Sequence, residues 1–168
     1  MTPGSAEPHP APVLVLGLGN SLLRDDGLGL ELLRRLEAAT APSDGVEFLD
    51  GGTQGIALLP WMAGRQALLI LDAFALGEPP GTVHTHEGPN LPQAPPGLSA
   101  HEGNFGELLA TAQLIGDLPE TIQLVGIEPD EISTGIGLSP AVVEALPRGV
   151  ESARRALEAL IEPVDAGG

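Results

Sequence analysis

The sequence contains no cysteine, which excludes disulfides, thiolate metal sites and a cysteine nucleophile. Lysine is absent too, since all seven basic residues are arginines. Schiff-base chemistry and a Ser–Lys dyad are therefore excluded. Aromatic residues make up only 2% of the chain against 42% hydrophobic residues, so the core has to be built from Leu, Ile, Val and Ala. Positive charge is scarce, and the formal net charge is −16. Phosphate contacts dominate nucleic-acid binding, so nucleic acid and anionic membrane surfaces are excluded as expected partners. The acidic balance suits a basic partner, a cationic metal or plain solubility. Familiar hydrolase signatures are missing as well. His101-Glu102 has no second His to complete HExxH, and there is neither a GxSxG elbow nor an Asp-Thr-Gly.

Met1–Pro12 is rich in Pro and Ala, with no basic n-region and no apolar h-region, so it reads as a disordered tail and not as a signal peptide. Residues 13–162 read as one α/β domain, and 163–168 as a flexible C-terminus. Val13–Leu16 is too short to cross a bilayer, and the expected location is the cytoplasm. Short apolar runs predict buried strands at Val13–Leu16, Val46–Leu49, Ala67–Leu71 and Ile122–Gly126, with Gly81–His86 as an edge strand. Helical spacing predicts helices over Leu28–Leu36, Gly55–Met62 and Asn104–Ile115. Ser139-Pro140 reads as the N-cap and first residue of a last helix running toward Ile161, kinked or broken at Pro147. Gly88–Gly97 and Glu128–Gly137 read as loops. Alternating strands and helices predict an α/β three-layer sandwich, with a central, mostly parallel twisted sheet of about five strands.

Ligands of such sheets bind beyond the carboxyl ends of the strands. Acidic residues cluster at those positions: Asp25 and Asp26 after the first strand, Asp50 after the second, Asp72 after the third. Taken singly, each could be a turn or cap residue, and Asp25 could be the N-cap of the first helix. Gly17-Leu18-Gly19-Asn20-Ser21-Leu22 begins like a dinucleotide fingerprint, but Leu22 stands where the third glycine is needed. Asp25-Asp26 would also repel a pyrophosphate at the helix start. His84 and His86 share one face of a strand at a spacing that can bind metal, and read as an exposed edge pair. His101 stands in a polar loop at a helix entrance, and His9 in the tail.

These elements together resemble the hydrogenase maturation endopeptidases, which process nickel–iron hydrogenase large subunits. The resemblance is carried by Gly17-Leu18-Gly19-Asn20-Ser21-Leu22-Leu23-Arg24-Asp25-Asp26-Gly27-Leu28-Gly29, Asp50-Gly51-Gly52-Thr53, Asp72, Ser99-Ala100-His101-Glu102, Leu124–Pro129 and Gly137–Pro140. It covers Val13 to about Ile161. It implies a nickel site of Asp26, Asp72 and His101, with Asp26 where some members carry Glu. Carboxylate and imidazole ligands suit nickel. It further implies a substrate, the large-subunit precursor with nickel inserted, whose C-terminal extension is removed after a basic residue. Nickel would arrive with the substrate and act as the recognition key. Asp50 and Asp25 are candidate general bases, and a monomer is expected. Two other readings fit the same residues: a non-catalytic nickel-binding hydrogenase assembly chaperone, and a related peptidase with another client such as a spore protease.

Overall fold

The computed structural model describes residues 10–89 and 103–161. In chain order the elements are β1 (Val13–Leu18), α1 (Leu28–Ala38), β2 (Val46–Gly52), α2 (Leu59–Met62), β3 (Ala67–Ala73), β4 (Val83–Glu87), α3 (Gly103–Ile115), β5 (Thr121–Ile127) and α4 (Pro140–Ile161). Short 3-10 turns at Arg24–Gly27 and Gly55–Leu58 precede α1 and α2. The strands form one five-stranded sheet in the order β2-β1-β3-β5-β4. All pairings are parallel except that of β4 with β5.

Strand alternation sends the apolar runs to two cores. Val13, Val15, Leu69, Leu71, Val125 and Ile127 pack against α1 and α4. Leu14, Leu16, Leu68, Ile70, Ile122 and Leu124 pack against Met62 of α2 and against Phe105, Leu108 and Leu109 of α3. The result is the three-layer arrangement expected, built almost wholly from aliphatic side chains. Phe74 and Phe105 are the fully buried aromatic exceptions, with ring centroids 5.6 Å apart, and Phe48 packs half-buried against the other core. Burying one Leu of this kind contributes roughly 1.5–3 kcal/mol. Among the described residues no helix is long and apolar enough to cross a membrane.

Two glycines set how close α1 comes to the sheet. A Cβ on Gly29 would lie 2.3 Å from the Leu18 carbonyl oxygen, 2.5 Å from that of Leu71 and 2.9 Å from the Asp72 Cα. A Cβ on Gly19, whose φ is +136°, would lie 2.0 Å from the Asp26 carbonyl oxygen. Neither site has room for a side chain. These contacts press the Asp26 turn against the end of β3.

Three expectations are corrected. Helix α4 is continuous from Pro140 to Ile161, so the break expected as one alternative at Pro147 does not occur. Pro147 is exposed, so the carbonyl left without its helical donor lies on the solvent side. Asp25 does not cap α1, whose N-cap position is Gly27 with no side-chain hydrogen bond. The His84/His86 pair does lie on an edge strand, but His84 is only 8% exposed.

Candidate active site

From β1 the chain runs out through α1 to β2, whereas β3, on the other side of β1, connects away in the opposite direction. The gap between β1 and β3 at the carboxyl end is therefore the switch point where α/β sheets bind ligands. Asp26 follows β1 and Asp72 lies near the end of β3, so the topology brings two of the candidate residues to this gap.

Both are buried, Asp26 at 6% and Asp72 at 4% exposure. The backbone N–H of Asn20 donates to Asp26 Oδ2 at 3.0 Å. Asp72 Oδ1 accepts from the Ala73 N–H at 2.8 Å. Burial pushes the Asp72 carboxyl well above its ordinary range; the Ala73 hydrogen bond opposes this and the nearby Asp26 charge adds to it. The charged form of Asp72 is thus under-stabilised by its surroundings, and a cation at this position would relieve it. Asp72 shares a sheet face with Leu68 and Ile70, the face covered by α3. His101, the third expected ligand, lies outside the described residues, and α3 begins at Gly103.

Asp25 is fully buried and faces away from this pair, into the 128–139 loop. Its Oδ2 accepts from the N–H groups of Asp130 (2.8 Å) and Glu131 (2.9 Å) and from the Ser139 hydroxyl (2.7 Å). Its Oδ1 accepts from the Ser139 N–H at 2.7 Å. Burial alone would raise its pKa, but the bonds from Ser139, Glu131 and Asp130 together hold it below the ordinary range. Ser139 does precede the first residue of α4, with its carbonyl accepting from the Val143 N–H at 2.9 Å, while its hydroxyl is committed to Asp25.

Asp50 is exposed near the end of β2, where its Oδ1 accepts from the Gly52 N–H at 2.9 Å. It borders a groove of about 490 Å³, together with Ser21 and Gly27, which flank the Asp26 turn. A larger groove of about 1070 Å³ opens at the amino end of the sheet, by Val46 and Arg65, and contains none of the candidate residues.

Sequence reasoning missed Glu128 as a structural hub. It is 4% exposed; Oε1 accepts from the N–H groups of Leu76 (2.9 Å) and Glu78 (3.1 Å) and lies 3.1 Å from His84 Nε2. It thereby pins the segment that leaves Asp72. The available signal was an acidic residue directly after an apolar strand, the same pattern that exposed Asp50 and Asp72. His86 stacks on His84 with centroids 6.2 Å apart, and burial followed by the proximity of His84 lowers its pKa.

Fold and site together define an α/β domain with paired buried carboxylates at its switch point. Comparison with known proteins makes this specific. Residues 30–156 match the family model described as hydrogenase maturation protease. The chain is 38% identical over 153 residues to the hydrogenase expression/formation protein HupD of Rhodobacter capsulatus, covering 89% of this chain and 73% of that one. It is 35% identical over 147 residues to the hydrogenase 2 maturation protease of Escherichia coli, covering 86% and 90%. The solved hydrogenase maturating endopeptidase HybD from E. coli superposes with a TM-score of 0.77 at 33% identity, over 88% of this chain and 92% of that one. The chain belongs to the hydrogenase maturation protease family, and it is a processing endopeptidase.

Proposed function

We propose that this peptidase removes the C-terminal extension of a nickel–iron hydrogenase large-subunit precursor after nickel has been inserted, and that the inserted nickel is its recognition key. The observation that carries the reading is the Asp26/Asp72 pair. A carboxyl buried as deeply as Asp72, beside a second acidic group, favours a cation delivered to it. Asp26, Asp72 and His101 are the ligands in this reading, and His101 enters on sequence resemblance alone. Two carboxylates and an imidazole suit nickel and leave positions open for the thiolates of the substrate.

When bound, the nickel of the precursor would polarise the neighbouring peptide group or a water. The residues of the chain do the rest. Asp25 holds the Asp26 turn against the 128–139 loop, Glu128 fixes the segment after Asp72, and the walls around both exclude water. Of the two candidate bases, Asp25 has both oxygens committed to backbone and Ser139, which leaves Asp50, exposed at the groove, to take a proton from water. We read the enzyme as a cytoplasmic monomer whose partner is the precursor alone.

The test is a processing assay by mass spectrometry on nickel-loaded and nickel-free precursor in parallel. Loss of the extension only with nickel is expected. Cleavage in both tubes would remove nickel from the reading. Binding of loaded precursor without cleavage would instead support the assembly-chaperone role.

A further inference from the structure

The chain has one Trp and three Phe. Phe74 and Phe105 are spent on the core. The other two aromatic side chains, Trp61 and Phe48, line the groove of about 1070 Å³ at the amino end of the sheet. Trp61 is 45% exposed, while its neighbour Met62 on the same helix is fully buried. Pro42 and Pro60 add rigid apolar wall. A large side chain with an apolar body and a polar tip, left open in a groove, is the residue type that anchors interfaces.

The charge of the groove is one-sided. Its acidic lining is Glu37, Asp44 and Glu47, and its single cation is Arg65. Arg65 is already committed: its side chain is 3% exposed, Nε donates to the Trp61 carbonyl and Nη1 to the Ala11 carbonyl, both at 2.8 Å, and Nη2 pairs with Glu47. Glu37 and Asp44 are exposed and have no ion-pair partner among the described residues. An indole face attracts a cation, and two open carboxylates in the same groove attract it further, so the side chain that satisfies both is Arg or Lys. Phe48 stands on β2, an edge strand of the sheet, and Val46, Glu47 and Phe48 all border the groove. An edge strand offers backbone donors and acceptors to an extended segment. A second copy of this chain fits poorly, because its net charge of −16 repels an acidic groove.

We propose that this groove docks an extended, Arg- or Lys-bearing segment of the hydrogenase large-subunit precursor, with the basic side chain on Trp61 and paired to Glu37 or Asp44. The proposal rests on the reading above that the precursor is the partner. The groove lies at the opposite end of the sheet from Asp26 and Asp72. The strands between the two ends have six or seven residues, about 20 Å at roughly 3.3 Å per residue, a distance that a protein-sized substrate spans.

The test uses the full chain labelled with fluorotryptophan. Trp61 is the only Trp, so fluorine NMR reads the groove through one resonance. Nickel-loaded precursor is titrated in, and the same precursor is processed by wild type, by Trp61→Leu and by the double variant Glu37→Gln/Asp44→Asn. The expected result is a shift of the resonance that added salt reverses, with KM raised about tenfold in either variant and kcat unchanged. All three replaced side chains are exposed, so Tm should stay level. A fall in Tm with KM unchanged would show a structural role and overturn the proposal. A resonance unmoved by precursor that wild type processes would also overturn it, and would leave the peptidase reading standing. So would a free-protein resonance that ignores a change from light to heavy water, because the groove is then already filled, or one that moves with the protein's own concentration, because a second copy then fills it. A resonance that shifts with loaded precursor that is never cut would keep the docking site and sink the peptidase reading.

Discussion

Asp25 and Asp72 are both buried carboxylates at the carboxyl end of the sheet, yet their surroundings push them in opposite directions. Asp25 receives four hydrogen bonds, three from backbone N–H groups and one from the Ser139 hydroxyl, and its pKa falls. Asp72 receives one among the described residues, from Ala73, lies near a like charge, and its pKa rises. Neither side chain is open to solvent, but Asp72 lies deeper among protein atoms, so burial raises it more strongly while the fold offers it fewer donors. A carboxylate surrounded by donors holds structure together, and one with a single donor among the described residues is the better candidate to meet a cation.

This contrast is easiest to break at Asp72. Asp72→Asn removes a ligand in the proposed reaction and should reduce processing by several orders of magnitude. The same change removes an under-compensated buried charge, so the substrate-free protein should gain about 1–2 kcal/mol. A variant both inactive and less stable would show that Asp72 is a structural carboxylate like Asp25. Asp25→Asn should do the reverse in stability, losing about 3 kcal/mol because backbone donors are left facing an amide. Its loss of activity should follow the loosened 128–139 loop, visible as faster hydrogen exchange at Asp130 and Glu131.

Acid titration sharpens the comparison further. Asp25 has a folded pKa below its ordinary 3.8, so its contribution is complete above that value and disappears as pH falls through the folded pKa. Asp72 has a folded pKa above 3.8, so the native state binds its proton more tightly, and stability declines as pH rises from 3.8 through the folded pKa. Denaturant midpoints across pH should therefore lose the acid limb in Asp25→Asn and the upper decline in Asp72→Asn. The smallest effect is expected far from both. Glu151 on α4 pairs with Arg154 and Arg155 on the exposed surface, and Glu151→Ala should leave Tm and processing within error of wild type.

Much of the fold was legible in the chain itself. The runs Leu14–Leu16 and Leu68–Leu71 could be buried strands because they carry no polar residue, and these two strands extend two residues past the predicted ends. The acidic residues at strand ends were visible for the same reason, since polarity stands out directly after an apolar run. A break at Pro147 did not follow, because backbone propensity says nothing about which side of a helix faces water. His84 misled because a two-residue spacing fixes a face, while burial depends on what covers that face, here with Glu128 from forty-four residues away.

The sequence by itself determined the strand and helix pattern, the aliphatic make-up of both cores, and the presence of carboxylates at the carboxyl end of the sheet. These follow from local spacing and composition, which the chain carries one residue at a time. Only the tertiary structure decided that Asp25 clamps a loop while Asp26, its neighbour, lies near Asp72. The clamp depends on hydrogen-bond partners more than a hundred residues apart in the chain, such as Asp25 and Ser139, and no local pattern encodes such a meeting.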